Sequence, residues 1–341
     1  MPLSMLDDEE MGVQELESEA FDVDVSADAL TIGVDVGGTK IAAGVVDAAG
    51  RIIEEVRRET PARASDATVA AIIDVVQGLT EQHPIAAVGI GAAGFIDADR
   101  STVLFAPNLS WRDVPLRQAV EEAAGVPVVV ENDANAAAWG EFVFGSGKDD
   151  DDLLLVTVGT GIGGGLVADH RLYRGAFGIA AEIGHMRVVP GGHRCGCGNL
   201  GCWEQYASGS ALVREARAFA AAGTPMAADL LALANGDASA IDGPMITLAA
   251  TQGDAWAIEL LESAGRWLGE GIASLAAVLD PGVVSIGGGV AEAGELLLEP
   301  IRAAFRAQLT GRRFRPELEI RQATLGNRAG LIGAADLARH Q

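Results

Sequence analysis

Apolar runs broken by glycine turns set the pattern of this chain. Leu30–Val36 is short, rich in β-branched residues and polar only at Thr31 and Asp35, which predicts a buried strand. Gly37, Gly38, Thr39 and Lys40 interrupt it, and Ile41–Asp47 resumes the apolar run, so a hairpin is expected. The arrangement returns 122 residues later, with Leu153–Val158 as strand, Gly159–Gly163 as turn and Gly164–Asp169 as returning strand. Val36, Gly37 and Asp47 then align with Val158, Gly159 and Asp169, which suggests duplicated halves facing one another.

Elsewhere the period lengthens. Ser65–Gln82 has helical spacing with Ser65 or Asp66 as its cap, and Pro115–Ala124, Ala134–Phe144, Gln205–Ala221, Asp254–Leu279 and Arg328–Arg339 read as further helices. Strands are expected at Ala86–Gly91, Val126–Val130, Val283–Ile286 and Leu318–Ala323. This alternation specifies an α/β protein. Residues 1–28 mix acidic and small residues without a sustained period, so a disordered acidic tail is expected to end near residue 29.

Composition narrows the function. The 341 residues, 49% hydrophobic, suffice for two domains and a substantial core. The formal charge is −24, and ten acidic residues with no basic ones fall in the first thirty positions. That balance disfavours nucleic acid and anionic membranes as partners. No apolar run is long enough to span a bilayer, and the N-terminus lacks the pattern of a signal peptide. All three cysteines sit in one cluster, which argues against a disulfide framework and for a reducing, cytoplasmic location.

That cluster, Cys195, Cys197 and Cys202, lies in a glycine-rich stretch with His185 and His193 just upstream and Glu182 and Glu204 bracketing it. Three thiolates and one imidazole close a tetrahedral shell around Zn²⁺ with no open position, which points to a structural metal. Either histidine satisfies the spacing.

Two segments match G-x-G-x-x-G, at Gly89/Gly91/Gly94 and Gly159/Gly161/Gly164, but neither opens a helix, so neither is a dinucleotide site. Hairpin tips offer other chemistry. Successive backbone N–H groups at Gly37–Lys40 and at Gly159–Gly163 form anion-binding concavities, and two facing tips could hold one polyphosphate chain. Asp35 is placed to reach Mg²⁺ through water, and Thr39 adds a hydroxyl. Glu131-Asn132-Asp133 ends a buried strand, where a carboxylate can take the proton of a hydroxyl attacking a γ-phosphoryl group. Asp133 as a helix cap is the competing reading.

Asp35-Val-Gly-Gly-Thr-Lys40, Pro107-Asn-Leu-Ser-Trp111, Glu131-Asn-Asp-Ala-Asn135, Gly159-Thr-Gly-Ile-Gly-Gly164, Glu182-Ile-Gly-His185 and the cysteine run ending at Glu204 together resemble the ROK family of bacterial sugar kinases and sugar-responsive repressors. The likeness covers roughly residues 30–340, and Trp203–Gly209 looks most like ATP-dependent glucokinases of that family. It implies an actin-like ATPase (ribonuclease H-like) α/β fold, two domains around a cleft, with 30–138 and 325–341 forming the first and 139–324 the second. Residue by residue, it implies that Asp133 is the general base for the glucose 6-hydroxyl and that Gly94, Asn108, Asn132, Glu182, His185 and Glu204 form the sugar site. Asp35, Gly37, Gly38, Thr39, Lys40, Thr160 and Gly161 would meet Mg²⁺ and the phosphates of ATP, and Gly287, Gly288 and Gly289 would lie under the adenosine. His185, rather than His193, would complete the zinc site with Cys195, Cys197 and Cys202. A homodimer or homotetramer is implied. Other hexose or N-acetylhexosamine kinases, a polyphosphate-dependent kinase and a non-catalytic sensor are the alternatives. A repressor would require a basic helix-turn-helix ahead of residue 30, where this chain is acidic.

Overall fold

The computed structural model describes residues 28–62 and 64–340, together with Ser26. The expected acidic tail therefore falls, but for its last residues, outside the described residues. In the first half, β1 (Leu30–Val36), β2 (Lys40–Val46) and β3 (Ile52–Glu59) run antiparallel, followed by helix α1 (Ser65–Thr80) and strand β4 (Ile85–Ala92). Three short strands, β5 (Phe95–Ile96), β6 (Val103–Ala106) and β7 (Trp111–Val114), form a separate sheet before α2 (Leu116–Ala124) and β8 (Val128–Asn132). The main sheet has the order β3-β2-β1-β4-β8, with β4 and β8 parallel to β1.

The second half repeats this plan. After α3 (Asp133–Phe144), strands β9 (Leu153–Val158), β10 (Ile162–Ala168) and β11 (Arg171–Leu172) run antiparallel. Beyond α4 (Glu204–Ala207), α5 (Gly209–Ala221), α6 (Ala228–Leu233), α7 (Gly243–Thr251) and α8 (Ala255–Leu279) comes β12 (Val283–Gly287). Helix α9 (Glu295–Gln308) leads to β13 (Glu319–Gln322), and α10 (Ala329–Leu337) closes the chain. The sheet order β11-β10-β9-β12-β13, with β12 and β13 parallel to β9, matches the first sheet strand for strand. The duplication read from two hairpins thus extends to the whole of both sheets.

Each sheet has its own core, around Ile32, Val34, Ile90 and Trp111 in one half and Leu154, Val156, Trp203 and Ile272 in the other. Helix α10 returns to the first sheet and crosses α3. The approach is so close that a Cβ at Gly33 would land on the Leu331 carbonyl oxygen, and one at Gly89 on that of Ala334. Helix α3 packs on α10 and also on β9 and β10, so the boundary expected after residue 138 falls inside an element shared by both sheets.

Local expectations needed correction in places. Ser65 lies in the first turn of α1, whose N-cap is Ala64 with no side-chain bond. The helix expected over 205–221 is broken at Ser208, whose hydroxyl accepts the Ala211 N–H and starts α5 afresh. Strand β3, the three-stranded sheet and helices α6, α7 and α9 were not expected. β3 lies at a sheet edge, with five of its eight residues charged, and so lacks an apolar run.

Candidate active site

Strand β8 ends and α3 begins at one point, and this junction organises the cleft. Asn132 is the N-cap: its Oδ1 accepts the N–H groups of Ala134 and Asn135 at 2.9 and 3.0 Å. Its Nδ2 donates to the Gly94 carbonyl at 3.1 Å. The capping duty is therefore met without Asp133, which is the first helical residue and is left available for chemistry. The Asn132 side chain thereby places Asp133, and one N–H of its half-buried amide remains for a sugar hydroxyl. Gly94, against the Phe105 carbonyl and Ala106, holds the loop that receives this side chain.

Asp35, at the end of β1, shares a cleft of roughly 220 Å³ with Lys40, Asp133, Gly287, Gly288 and Gly330. Burial, then the charge of Asp133, push the Asp35 carboxyl up to about 7 against the opposing pull of Lys40. Burial also raises Asp133, against N–H donation at the start of α3. Burial and the charges of Asp133 and Glu204 push Glu182 up to about 7. Asp35 and Asp133 thus share one cleft, and the charge of Asp133 also reaches Glu182, a setting that favours a bound cation and a proton-accepting role. A larger depression of about 370 Å³ lies elsewhere, near Arg302 and Arg306, but these arginines already pair with Glu295, Glu299 and Glu317.

The first turn is closed by the Gly37 N–H donating to the Lys40 carbonyl at 3.0 Å, with Thr39 and Lys40 exposed and Asn108 standing over Gly38. In the second turn the Gly159 N–H reaches the Gly161 carbonyl at 3.0 Å, and Thr160 lies between them. Glu204 meets this turn, accepting the Ile162 N–H at 3.2 Å beside Gly161. Gly288, with φ of 84°, packs against Val158, and Gly289 opens the short helix Gly289–Ala293. The structure thus brings Asp35, Lys40, Asp133, Gly287 and Gly288 around one cleft, while Glu182, His185 and Glu204 cluster around the zinc-type loop.

In that loop, one ligand atom from each of His185, Cys195, Cys197 and Cys202 lies within 4.8 Å of all the others. The Cys197 and Cys202 sulfurs are 3.6 Å apart, as are the Cys195 sulfur and His185 Nδ1. Those separations match the edges of a tetrahedron with metal–sulfur bonds of about 2.3 Å. Burial and the neighbouring thiols push Cys202 up to about 12 and burial raises Cys195, so these two resist ionising without a cation, whereas hydrogen bonding from Asn199 and the other thiols lowers Cys197 against its burial. His193 instead faces Tyr206, with ring centroids 5.3 Å apart. The loop is nailed down by Trp203, fully buried, whose Nε1 donates to the Trp267 carbonyl of α8 at 2.8 Å. His185 Nε2 lies 4.0 Å from a Glu182 oxygen, and Cys195 Sγ lies 3.8 Å from Glu204 Oε1. The histidine–cysteine cluster is therefore adjacent to Glu182 and Glu204.

Glu131, Arg174 and Glu141 also hold this region together, although no sequence pattern marks a role for them. Glu141 is fully buried and accepts the N–H groups of Ser146, Thr324 and Leu325, tying α3 to the segment that enters α10. A charged residue in the apolar stretch 134–144 was the available signal.

The sequence model described as the ROK family matches residues 31–341. A glucokinase of Streptomyces coelicolor is 52% identical over 310 residues, covering 91% of this chain and 98% of its own. A ROK family glucokinase from Streptomyces griseus, solved in complex with glucose and AMPPNP, superposes with a TM-score of 0.85 at 54% identity, covering 92% of this chain and all of its own. A ROK hexokinase from Thermus thermophilus gives a TM-score of 0.75 at 38% identity, covering 91% and 97% of the two chains. The actin-like ATPase fold is thereby shared, and the chain belongs to the ROK family.

Proposed function

We propose that this protein transfers the γ-phosphoryl group of Mg·ATP to the 6-hydroxyl of glucose, with Asp133 as general base. The observation that carries the reading is Asp133 itself. It is a desolvated carboxylate at the head of α3, freed from capping by Asn132 and set in the cleft with Asp35 and Lys40. A carboxylate with a raised proton affinity accepts a proton from an attacking hydroxyl more readily than an ordinary one. The two glycine turns offer N–H groups to the phosphates, and Lys40 offers a cation. Asp35 is an oxygen donor suited to Mg²⁺, which when bound neutralises charge on the transferring phosphoryl group. Glu182, His185, Glu204 and Asn108 would bind the sugar hydroxyls, since carboxylates and amides take paired hydrogen bonds from vicinal diols. Gly287–Gly289 would floor the adenosine.

Zn²⁺ fits the Cys195, Cys197, Cys202 and His185 donor set and would hold the loop carrying His185 and Glu204, a structural role. The similarity to glucokinases over nine-tenths of the chain supports glucose and ATP over the alternative sugars and donors. The two-domain division at 138 and 325, a homodimer or homotetramer and a cytoplasmic location belong to the same proposal. No helix among the described residues is long and apolar enough to cross a membrane. The test is ADP release with Mg·ATP across glucose, mannose, fructose, N-acetylglucosamine and N-acetylmannosamine. Turnover strongest with glucose is expected, and turnover confined to another sugar would replace the substrate.

A further inference from the structure

Glu131 and Arg174 carry charges that the proposed chemistry does not use. Glu131 is buried at the end of β8. Its Oε1 accepts the Asn132 N–H at 2.9 Å and the Asn135 side-chain amide at 3.1 Å. Its Oε2 pairs with Arg174 Nε at 2.7 Å and with Arg100 Nε at 3.3 Å. The other two nitrogens of Arg174 donate to the carbonyls of Ala98 and Asp97 at 2.8 and 2.9 Å. Arg174 follows β11 and so leaves the second sheet, whereas Glu131, Asp97 and Ala98 belong to the first half. Four residues on, Gly178, with φ of 81°, packs against the carbonyls of Ile96 and Asp97 where no Cβ would fit. The segment 174–182 is therefore pinned at two points on the half that holds Asp133, and it ends at Glu182. The same Glu131 carboxylate binds the backbone of Asn132, the residue that caps α3.

We propose that Arg174 is a positioning residue for phosphoryl transfer: through Glu131 it fixes the Glu182-bearing segment to the start of α3 and so sets the sugar against the base. The inference rests on the reading of Asp133 as base and Glu182 as sugar ligand. Arg174 donates through its two terminal nitrogens to two carbonyls while its Nε stands at ion-pair distance from the Glu131 carboxylate, off the angle of a hydrogen bond, a spread of contacts that an ammonium cannot make from a single point. Removing it leaves the buried Glu131 with Arg100, at the longer distance, as its cationic partner. A mere brace would lower thermal stability and the active fraction while leaving both Michaelis constants alone. A positioning residue moves the glucose constant and kcat, because these contacts lie on the sugar side, and spares ATP.

Full-length Arg174→Ala, Arg174→Lys, Glu131→Gln and the Arg174→Ala/Glu131→Gln double variant would be compared for melting temperature, kcat, glucose KM and ATP KM. The expected result for Arg174→Ala is a glucose KM raised about tenfold or more and kcat lowered on the order of ten- to a hundredfold, the scale of a misplaced reacting group. ATP KM stays within about twofold, Arg174→Lys fails to rescue, and the double variant is no worse than the more affected single one. Wild-type glucose KM and kcat in folded Arg174→Ala, or independent multiplicative losses in the double variant, would overturn the proposal. If Arg174→Ala does not fold, Arg174→Lys and Glu131→Gln decide by the same criteria. Glucose affinity measured calorimetrically without ATP keeps this outcome separate from that of the base assignment, which Asp133→Asn tests.

Discussion

Replacing Asp35 by asparagine should make the metal-free, nucleotide-free protein more stable at neutral pH while abolishing its proposed activity. The folded Asp35 carboxyl is pushed from 3.8 up to about 7, first by burial and then by Asp133. Below pH 4 it is protonated in both folded and unfolded chains, so the fold bears no penalty. As pH rises to about 7 the unfolded chain releases its proton and the folded one keeps it, so stability falls by about 1.4 kcal/mol per pH unit. Above about 7 both are ionised and the penalty is constant. A shift of about three units gives a ceiling of about 4 kcal/mol, and solvent in the open cleft reduces it to about 2–4 kcal/mol. Urea unfolding of wild type and Asp35→Asn at intervals from pH 5 to pH 8 measures this directly. The gap between the two should widen by about 2–3 kcal/mol over that range, in favour of the variant. Parallel curves would refute the claim that an ionised Asp35 is held at a cost in the empty cleft.

Three further outcomes follow from the packing and the metal cluster. Gly89→Ala, which drives a Cβ onto the Ala334 carbonyl of α10, should lower stability by about 3 kcal/mol, read as a lower urea midpoint. Gly78→Ala, in the last turn of α1 with open space around it, should instead raise stability by about 0.5 kcal/mol in the same assay. Cys197→Ala should remove bound zinc by elemental analysis and raise glucose KM at least tenfold with ATP KM unchanged, a pattern that a folded, zinc-free protein with wild-type glucose affinity would contradict.

The parts legible in the sequence were those whose chemistry is local. The two hairpins announced themselves because both strands and the turn lie within about twenty consecutive residues, and the zinc-type cluster because its cysteines all fall between positions 195 and 202. Spacing alone left His185 and His193 open, and only the fold shows His193 turned to Tyr206. Edge strand β3 and the short strands β5–β7 were hidden because two-sided exposure or brevity erases alternation. The division of labour at Asn132 and Asp133 was also invisible, since either residue type caps helices well and the choice depends on where β8 stops. The Glu131–Arg174 pair joins residues 43 positions apart, and no local pattern marks such a contact.

The central claim is that Asp133 removes the proton from the sugar hydroxyl. Its most direct test is kcat with saturating glucose and Mg·ATP across pH 5–9 for wild type and Asp133→Asn, alongside glucose affinity. Wild-type kcat should fall as pH drops and the raised Asp133 carboxyl protonates, and Asp133→Asn should bind glucose but lose roughly 10²–10⁴-fold in kcat at every pH. A folded Asp133→Asn protein within tenfold of wild-type kcat would contradict the account.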